Sequence, residues 1–277
     1  MTHIFTINLD SRPERWDLFQ EGASLWQDAF GGNPERVSAV AGVQLSGYNE
    51  KPWFVSRIEE SRKKSWGGKA GAILSHRKVI QMAADQGLDN VLIVEDDAFV
   101  TEESVRDWKA GLGQLLETLS EDWAMVNLCA TKPISPCRVA AEYNGHRLIE
   151  ASGMSGCVAY FLNGAIFQDL LKKLPEERSV WAWVARHKTI DRWLSRNLIR
   201  FGRVYLFAPA IVGHRIGPSD ITMTPESEWT HDFDLKDIQL VENRKLFLLL
   251  MFLRRIGNAC LNHLSRLRLL IKRVRGL

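Results

Sequence analysis

A run of apolar residues that ends in three consecutive carboxylates constrains the fold more than any other part of the sequence. Asn90–Val100 reads NVLIVEDDAFV, and the four apolar β-formers Val91–Val94 are typical of a strand buried on both faces. Glu95, Asp96 and Asp97 follow directly. Burying three adjacent carboxylates is costly unless a cation or hydrogen-bond donors receive them. Because ligands of open α/β sheets bind at the carboxyl ends of strands, the triplet indicates a ligand-binding edge; the alternative is a polar loop whose acids face water or cap the next helix.

Apolar strands alternate with amphipathic helical stretches along most of the chain. The first strand, His3–Leu9, leads into a helix at Pro13, with Ser11 and Glu14 at capping-box spacing. Further strands are predicted at 123–129, 158–162 and 204–212, and further helices from Gly71, over 102–119, at 165–174 and at 190–198. Residues 42–69 lack periodicity and are expected to form a long loop, a candidate lid. This order predicts an α/β fold with a mainly parallel sheet flanked by helices.

Positive charge is concentrated in the last 35 residues. The 277-residue chain has 36 basic and 33 acidic residues, but nine basic residues and no carboxylate lie within 243–277, which leaves 27 basic and 33 acidic residues elsewhere. This balance excludes a uniformly polycationic protein that coats nucleic acid. Leu246–Leu253 is too short to span a bilayer, and a helical apolar stripe with interspersed Arg and Lys follows at 260–274. We therefore expect one domain at 1–235 and a basic amphipathic helical tail at 236–277.

Cysteine usage and the N-terminal sequence indicate a cytoplasmic protein. Cys129, Cys137, Cys157 and Cys260 are spaced too irregularly for a zinc site and too sparsely for a disulfide framework, which fits a reducing compartment. The opening MTHIFTINLD has neither the basic start nor the apolar stretch of a signal peptide. No apolar run reaches the roughly 18 residues that a membrane span needs.

Several short motifs occur together in a fixed order. They are INLDSRPERW at 7–16, Gly71, Ser75 and His76 in a Gly-x-x-x-Ser-His pattern, LIVEDDA at 92–98, Ser155-Gly156-Cys157 before a strand containing Tyr160, Ile190-Asp191 entering a helix, and Ala208-Pro209 leading to Gly213-His214 and Ser219-Asp220-Ile221. Over about residues 3–222 this set resembles glycosyltransferase family 25, which comprises bacterial lipopolysaccharide and lipooligosaccharide sugar transferases and relatives that glycosylate collagen. The resemblance implies a GT-A-like, Rossmann-like fold, a nucleotide-sugar donor and inversion at the transferred carbon.

The resemblance assigns the acidic triplet to metal and donor binding. In such folds the triplet plays the part of an Asp-x-Asp motif, which implies that Asp97 ligates Mn²⁺ or Mg²⁺, that Glu95 lies toward the metal or the ribose, and that Asp96 lies at the donor. A divalent ion that bridges the phosphates stabilises the charge of the leaving diphosphate. His214 ends a predicted strand at the same edge and is the expected third ligand, since Mn²⁺ accepts a histidine nitrogen; the alternative is a solvated loop histidine.

Inverting transfer requires a base that removes the proton from the acceptor hydroxyl. Asp191 is the expected base because it stands where a helix begins. The alternative is that Asp191 only caps this helix, since Asp is a favoured cap residue. Asp220 and Asp96 are the other candidates for the base.

Five polar residues are further candidates for donor binding. Asn8, Arg12 and Arg15 lie where the first strand ends and its helix opens, so that backbone N–H groups and guanidinium groups can hold a nucleotide or phosphate. Surface charge is the alternative for both arginines. Ser75 and His76 belong to the family-like motif, but His76 lies on the apolar face of its helix, near the N-terminus, where a satisfied core histidine is the alternative.

Most of the ten tryptophans are expected in the core or at interfaces. Trp53 and Trp66 are the exceptions, because they fall in the irregular stretch 42–69. We expect them to stack on a sugar ring while a closing loop excludes water.

Together these features predict an inverting, metal-dependent enzyme that moves a hexose, expected from the resemblance to be galactose, from a UDP-sugar to a lipopolysaccharide-type glycan or glycolipid. The enzyme is expected to be cytoplasmic and peripheral to the inner membrane, bound to the inner leaflet through the basic tail. The alternatives for the tail are packing on the domain or on a second copy, or nucleic-acid binding, for which no recognition motif is present. The contrasting hypothesis is a non-catalytic, membrane-associated protein that retains a nucleotide-sugar-binding fold.

Overall fold

The computed structural model describes residues 2–55, 58–217, 219, 221 and 238–275. The strands in these ranges are β1 (Ile4–Asn8), β2 (Pro34–Ser38), β3 (Asn90–Glu95), β4 (Ala98–Phe99), β5 (Trp123–Asn127), β6 (Lys132–Tyr143), β7 (His146–Ser155), β8 (Ala159–Asn163), β9 (Arg203–Ala208) and β10 (Gly213–His214). The α-helices are α1 (Pro13–Gln20), α2 (Ala23–Phe30), α3 (Glu60–Asp85), α4 (Glu102–Asp107), α5 (Gly113–Glu117), α6 (Phe167–Leu171), α7 (Val180–His187), α8 (Ile190–Asn197) and α9 (Arg244–Arg275).

Eight strands form one sheet in the order β2-β1-β3-β8-β5-β9-β7-β6. β1 is parallel to β2 and β3, and β5 is parallel to β9. β8 is antiparallel to β3 and β5, and β7 is antiparallel to β6 and β9. The predicted α/β fold, a large sheet flanked by helices, is confirmed, and the sheet is mixed, with three parallel and four antiparallel pairings among the described strands. The register pairs Ile7 with Glu95, so the carboxyl ends of β1 and β3 lie side by side.

The central strand β3 is buried on both faces, as its apolar run predicts. Successive side chains of a strand point to opposite faces. Val91 and Ile93 accordingly join the apolar layer that contains α3, whereas Leu92 and Val94 join a second layer that contains α2. All four side chains are fully buried, which fixes the position at which the acidic triplet leaves the sheet.

The β6–β7 hairpin was not anticipated from the sequence. It contributes the last two strands of the sheet, and β7 joins it to β9. The pairing of β6 with β7 contains two register shifts, between Ile134 and Cys137 and between Val139 and Ala141. Such irregularities interrupt the period-two pattern of side chains by which strands are recognised in a sequence.

Helix α3 begins at Glu60, eleven residues before the predicted start at Gly71. The prediction of an irregular stretch over 42–69 is therefore wrong for its last third. Here α3 presses against the chain near Gly42, and small residues replace the apolar residues that reveal a helix. A Cβ added to Gly71 would lie 2.3 Å from the Val40 carbonyl oxygen, and one added to Gly67 would lie 2.7 Å from the Val43 side chain. Glycine in this helix thus permits close packing.

The predicted helix over 102–119 is interrupted. It consists of α4 and α5, joined through a wider turn at Trp108–Leu112 in which Gly111 has a φ of 156°. The predicted strand at 204–212 is also divided, because β9 ends at Ala208 and β10 begins at Gly213. β10 pairs with β4 and sets His214 opposite Ala98, directly after the acidic triplet.

The C-terminal tail is one continuous helix, α9, where two parts were expected. Its first turns pack on the domain. Phe247 and Met251 are buried in the apolar layer that contains α3, and the Arg138 guanidinium of β6 lies 5.4 Å from the Phe247 ring centroid. The predicted domain boundary at 235/236 lies outside the described residues. Within the described part of the chain no helix is both long and apolar enough to cross a membrane.

Candidate active site

The three carboxylates that follow β3 point to three different sets of partners. Glu95 lies 3.3 Å from Nε2 of His76, measured from its Oε1 atom. Asp96 accepts a 2.6 Å hydrogen bond from the amide nitrogen of Asn8. Asp97 contacts His214 on β10 at 3.2 Å. Because their partners come from β1, α3 and β10, the triplet joins separate parts of the fold at the sheet edge.

Arg15, in the first turns of α1, is the cation that receives two of these carboxylates. One guanidinium nitrogen, Nη2, lies 2.6 Å from Asp96 Oδ1 and 2.6 Å from Asp97 Oδ2. Burial lowers the pKa of Arg15, but the charges of Asp97 and Asp96 outweigh this effect and raise it. The alternative that Arg15 is merely a surface charge is therefore wrong, since its side chain is 24% exposed and bridges the triplet.

At Asp96 the effect of burial on the pKa outweighs the effects of its neighbours. Burial raises its pKa to about 6, although Arg15 and the hydrogen bond from Asn8 lower it. Asn8 is itself buried, donates to the Arg12 carbonyl oxygen and accepts a hydrogen bond from Arg36. Asn8 therefore holds Asp96 in position from the neighbouring strand, an arrangement that follows from the β1–β3 register.

Asp97 and His214 change each other's pKa through a contact of 3.2 Å. Burial raises the pKa of Asp97, but the hydrogen bond and charge of His214 and the charge of Arg15 outweigh it and hold the pKa below the ordinary value. Burial lowers the pKa of His214, and Asp97 reverses the shift and raises it. His214 thus lies at the edge where its predicted strand position puts it. The alternative of a solvated loop histidine is wrong.

The predicted set of three metal ligands is only partly assembled. Among the described residues, no group of three or more His, Cys, Asp and Glu side chains has a geometry suited to a metal ion. Asp97 and His214 are in contact, whereas Glu95 faces His76. One observation fits a metal: Asp97 Oδ1 is buried and, within the described ranges, has no hydrogen-bond partner. A buried carboxylate oxygen without a donor is an available ligand for a hard cation.

His76 lies in the middle of α3, since the helix begins earlier than expected. Its Nδ1 atom lies 2.7 Å from the Tyr160 hydroxyl, and the two rings stack with centroids 5.8 Å apart. Tyr160 is fully buried, and burial raises its pKa well above the ordinary value. Tyr160 was not proposed as a site residue. The β3–β8 register, which pairs it with Ile93, brings it there.

Ser75 and Arg12 contact residues outside the triplet. The buried Ser75 hydroxyl donates to the Gly71 carbonyl oxygen and accepts from the backbone N–H of Val40, each at 2.8 Å. These contacts tie α3 to the segment after β2. Arg12 precedes α1 and contacts Glu14 at 3.3 Å. Donor binding by Ser75 and Arg12 stays a prediction.

Asp191 lies in the first turn of α8. Thr189 occupies the N-cap position, so the alternative that Asp191 caps the helix is wrong. Asp191 is half-buried and, among the described residues, forms no hydrogen bond or ion pair. Burial, and then the charges of Asp191 and Glu95, raise the pKa of the Cys157 thiol well above its ordinary value. Asp191 and Glu95 are therefore both close to Cys157. Asp220, the other proposed base, lies outside the described residues.

The two tryptophans proposed for sugar stacking have different surroundings. Trp66 lies in α3, is buried, contacts Phe54 edge to face, and has the Lys272 ammonium 4.6 Å from its ring centroid. The expectation that Trp66 belongs to a closing loop is wrong, because α3 extends through it. Trp53 is half-buried against the same apolar layer.

Comparison with known proteins identifies the family. Residues 1–179 match the model of glycosyltransferase family 25, described as LPS biosynthesis protein. The matched range includes the acidic triplet, Arg15, His76 and Tyr160, whereas Asp191 and His214 lie beyond it. No curated protein matches the chain.

A solved structure, described as a glycosyltransferase involved in the glycosylation of the major capsid of PBCV-1, is 12% identical. The alignment covers 74% of this chain and 80% of that one, with a TM-score of 0.40, a likeness too distant to support an argument. The family match covers more than half of the chain. This chain therefore belongs to glycosyltransferase family 25 and is a sugar transferase.

Proposed function

We propose that this enzyme transfers a hexose, galactose, from a UDP-sugar to a terminal sugar of a lipopolysaccharide-type glycan, with inversion at the transferred carbon. The family described for LPS biosynthesis supports the class of acceptor. The observation that carries the donor site is the contact of Arg15 with Asp96 and Asp97 at the carboxyl end of β3. In α/β proteins this edge of the sheet is where nucleotides bind.

A divalent cation, Mn²⁺ or Mg²⁺, is proposed to bind at Asp97 and His214, with Glu95 beside them. Such ions commonly take one or two protein oxygens and complete their shell with phosphate and water, so a full set of three protein ligands is not required. The buried Asp97 Oδ1 atom, which has no hydrogen-bond partner among the described residues, supports this choice. The ion would supply charge stabilisation for the leaving diphosphate.

The remaining residues of the edge hold and orient the donor. Arg15 offers a planar guanidinium that suits phosphate oxygens, and it lies between two carboxylates that fix its direction. Tyr160 and His76 form a buried chain that ends on Glu95, which limits the rotamers open to that carboxylate. Asn8 performs the same task for Asp96.

Asp191 is proposed as the base that accepts the proton of the acceptor hydroxyl. Its carboxylate is not engaged by any described hydrogen-bond donor or cation, unlike Asp96 and Asp97. The charges of both Asp191 and Glu95 raise the pKa of the Cys157 thiol, which supports a base on the same side of the protein as the donor edge.

A panel of UDP- and GDP-sugars tests the proposal with purified full-length protein. Release of the nucleoside diphosphate is measured with Mn²⁺, with Mg²⁺ and with EDTA, with and without a lipopolysaccharide-type acceptor. We expect release from UDP-galactose that requires the metal and rises with acceptor, and product of inverted anomeric configuration by NMR. Release from a different donor, or release that EDTA leaves unchanged, would overturn the donor or the metal assignment. Absence of both release and calorimetric donor binding would favour the non-catalytic hypothesis.

A further inference from the structure

Helix α9 presents an apolar face away from the domain. Twelve of its large apolar side chains are between 42% and 87% exposed. Leu249, Phe252, Leu264, Leu267 and Ile271 are among them, and at 3.6 residues per turn all five fall within a sector of about 120° on one side of the helix. An exposed apolar surface of this extent is rare on a soluble monomer and marks a site of interaction.

The opposite face of α9, which packs on the domain, is largely polar. Asn258 is buried and donates a 2.9 Å hydrogen bond to the Arg196 carbonyl oxygen. Asn262 donates to the side chain of Asn197 at 2.7 Å. Arg186 donates to the Ser265 hydroxyl at 2.8 Å. These hydrogen bonds with α7 and α8 fix the rotation of α9 about its own axis. Because the polar face is held against the domain, the apolar face points to solvent.

Cations border the apolar face along both edges. By helical position Arg255, Arg266 and Arg273 follow one edge, and Arg268 and Lys272 lie toward the other. The basic surface continues onto the domain, because burial and the charges of cations on α3, on α9 and between α7 and α8 lower the pKa of Lys272 to about 8. Residues 243–277 contain no carboxylate.

This charge pattern indicates which partner binds the apolar face of α9. Two copies of α9 packed face to face would bring like charges together along both edges, which is unfavourable. A membrane span is not indicated for any helix in the described ranges. An apolar stripe flanked by Arg and Lys suits a helix that lies in the interface of a bilayer, with its cations at anionic headgroups.

We propose that α9 binds flat on the surface of an anionic membrane, with the Leu264–Leu267–Ile271 face between the headgroups and the acyl chains. The helix is roughly 48 Å long, so it fixes the orientation of the whole domain on the lipid surface. The docking stands on α9 alone. Resting on the proposed function, it also names the acceptor class, which is a lipid-linked glycan at the same membrane surface.

Sedimentation with vesicles tests the docking. Full-length protein is mixed with phosphatidylglycerol/phosphatidylcholine vesicles or with phosphatidylcholine vesicles. We expect binding to the anionic vesicles that weakens at high salt, because headgroup charge contributes. The triple variant Leu264→Gln, Leu267→Gln, Ile271→Gln keeps the net charge and should bind roughly 100-fold more weakly, since three apolar side chains no longer enter the lipid. Leu18→Gln with Val43→Gln, two exposed apolar residues outside α9, is the matched control and should bind like the wild type.

A second variant and a second measurement distinguish loss of membrane binding from misfolding of the variant protein. Arg266→Gln with Arg273→Gln leaves the apolar face intact and should weaken binding to anionic vesicles alone. Metal-dependent donor hydrolysis by both variants should equal that of the wild type, so loss of docking and loss of transferase function are distinguishable. Failure of the wild type to bind anionic vesicles, or binding that the triple variant retains, would overturn the proposal. A dimer that the triple variant converts to monomer, without vesicle binding, would assign the face to a second copy.

Discussion

The acidic triplet and helix α9 both concentrate charge of one sign, but they resolve it in opposite ways. At the triplet, Glu95, Asp96 and Asp97 each meet a partner from elsewhere in the chain at 3.3 Å or less. On α9, no cation forms an ion pair with a carboxylate in the described part of the chain. The carboxylates of the first region have partners within the protein, whereas the cations of the second are left for a partner from outside.

This difference separates two kinds of binding surface. An internally paired cluster is preorganised, because Arg15, His214 and Asn8 hold each carboxylate before any ligand arrives. The activity that depends on this cluster should therefore be sensitive to the replacement of a single carboxylate oxygen. A surface of unpaired cations around an apolar face has no such precision, and its effect should grow with area and with the charge of the partner.

Asp97→Asn should produce the largest effect. The substitution keeps the shape of the side chain but removes the charge that Arg15 and His214 share. We expect kcat/KM for donor turnover to fall on the order of 10³-fold, because the charge of the leaving diphosphate is no longer balanced. Asp169→Asn, at an exposed carboxylate of α6 paired with Lys172, is the control and should leave turnover unchanged. Turnover of Asp97→Asn within tenfold of the wild type would contradict preorganisation at this residue.

Asp191→Asn should lower transfer to the acceptor by about 10²-fold, at the lower end of the usual contribution of a general base. Because Asp191 is not part of the paired cluster, donor binding measured by calorimetry should stay at the wild-type value. Equal losses in donor affinity and in transfer would instead place Asp191 in the donor site. Asp169→Asn serves again as the control for a removed carboxylate.

The sequence predicts those parts of this site that depend on neighbouring residues. The apolar run before Glu95 predicts β3 because a strand buried on both faces must be continuously apolar. The position of His214 at the end of a strand predicts that it lies at the same edge. The contact of Arg15 with Asp96 and Asp97 was not predicted, because it depends on the β1–β3 register and on where α1 leaves the sheet.

The N-terminal half of α3 shows where sequence patterns fail. Its buried positions include Gly67, Ala70 and Gly71, which carry little or no side chain and so leave no apolar period. Tertiary packing against the segment at Gly42 requires those small residues. The hairpin β6–β7 was missed for a related reason, since its register shifts break the alternation that marks a strand.

Asp96→Asn tests whether the pairing at the triplet is complete. Burial raises the pKa of Asp96 to about 6 from 3.8, so the folded protein binds a proton more tightly than the unfolded chain. This residue is therefore expected to lower stability as pH rises through the window from 3.8 to about 6, by about 3 kcal/mol in all. The Asp96→Asn variant has no carboxyl group to titrate at this position, so its stability should not show this decrease. Urea unfolding should show the variant gaining on the wild type across that window, and a constant difference would contradict the prediction.

Gly71→Ala and Gly257→Ala compare a helix pressed into the domain with one that presents a free face. A Cβ at Gly71 would lie 2.3 Å from the Val40 carbonyl oxygen and 2.9 Å from the Gly42 nitrogen, whereas a Cβ at Gly257 of α9 meets no atom within 4 Å. We expect Gly71→Ala to destabilise the protein by about 1–3 kcal/mol through overpacking. Gly257→Ala should stabilise it by roughly 0.5–1 kcal/mol, because alanine loses less backbone entropy in a helix. Both values come from urea unfolding. A destabilised Gly257→Ala would mean that this face of α9 is already covered, and docking on a membrane would then require α9 to move.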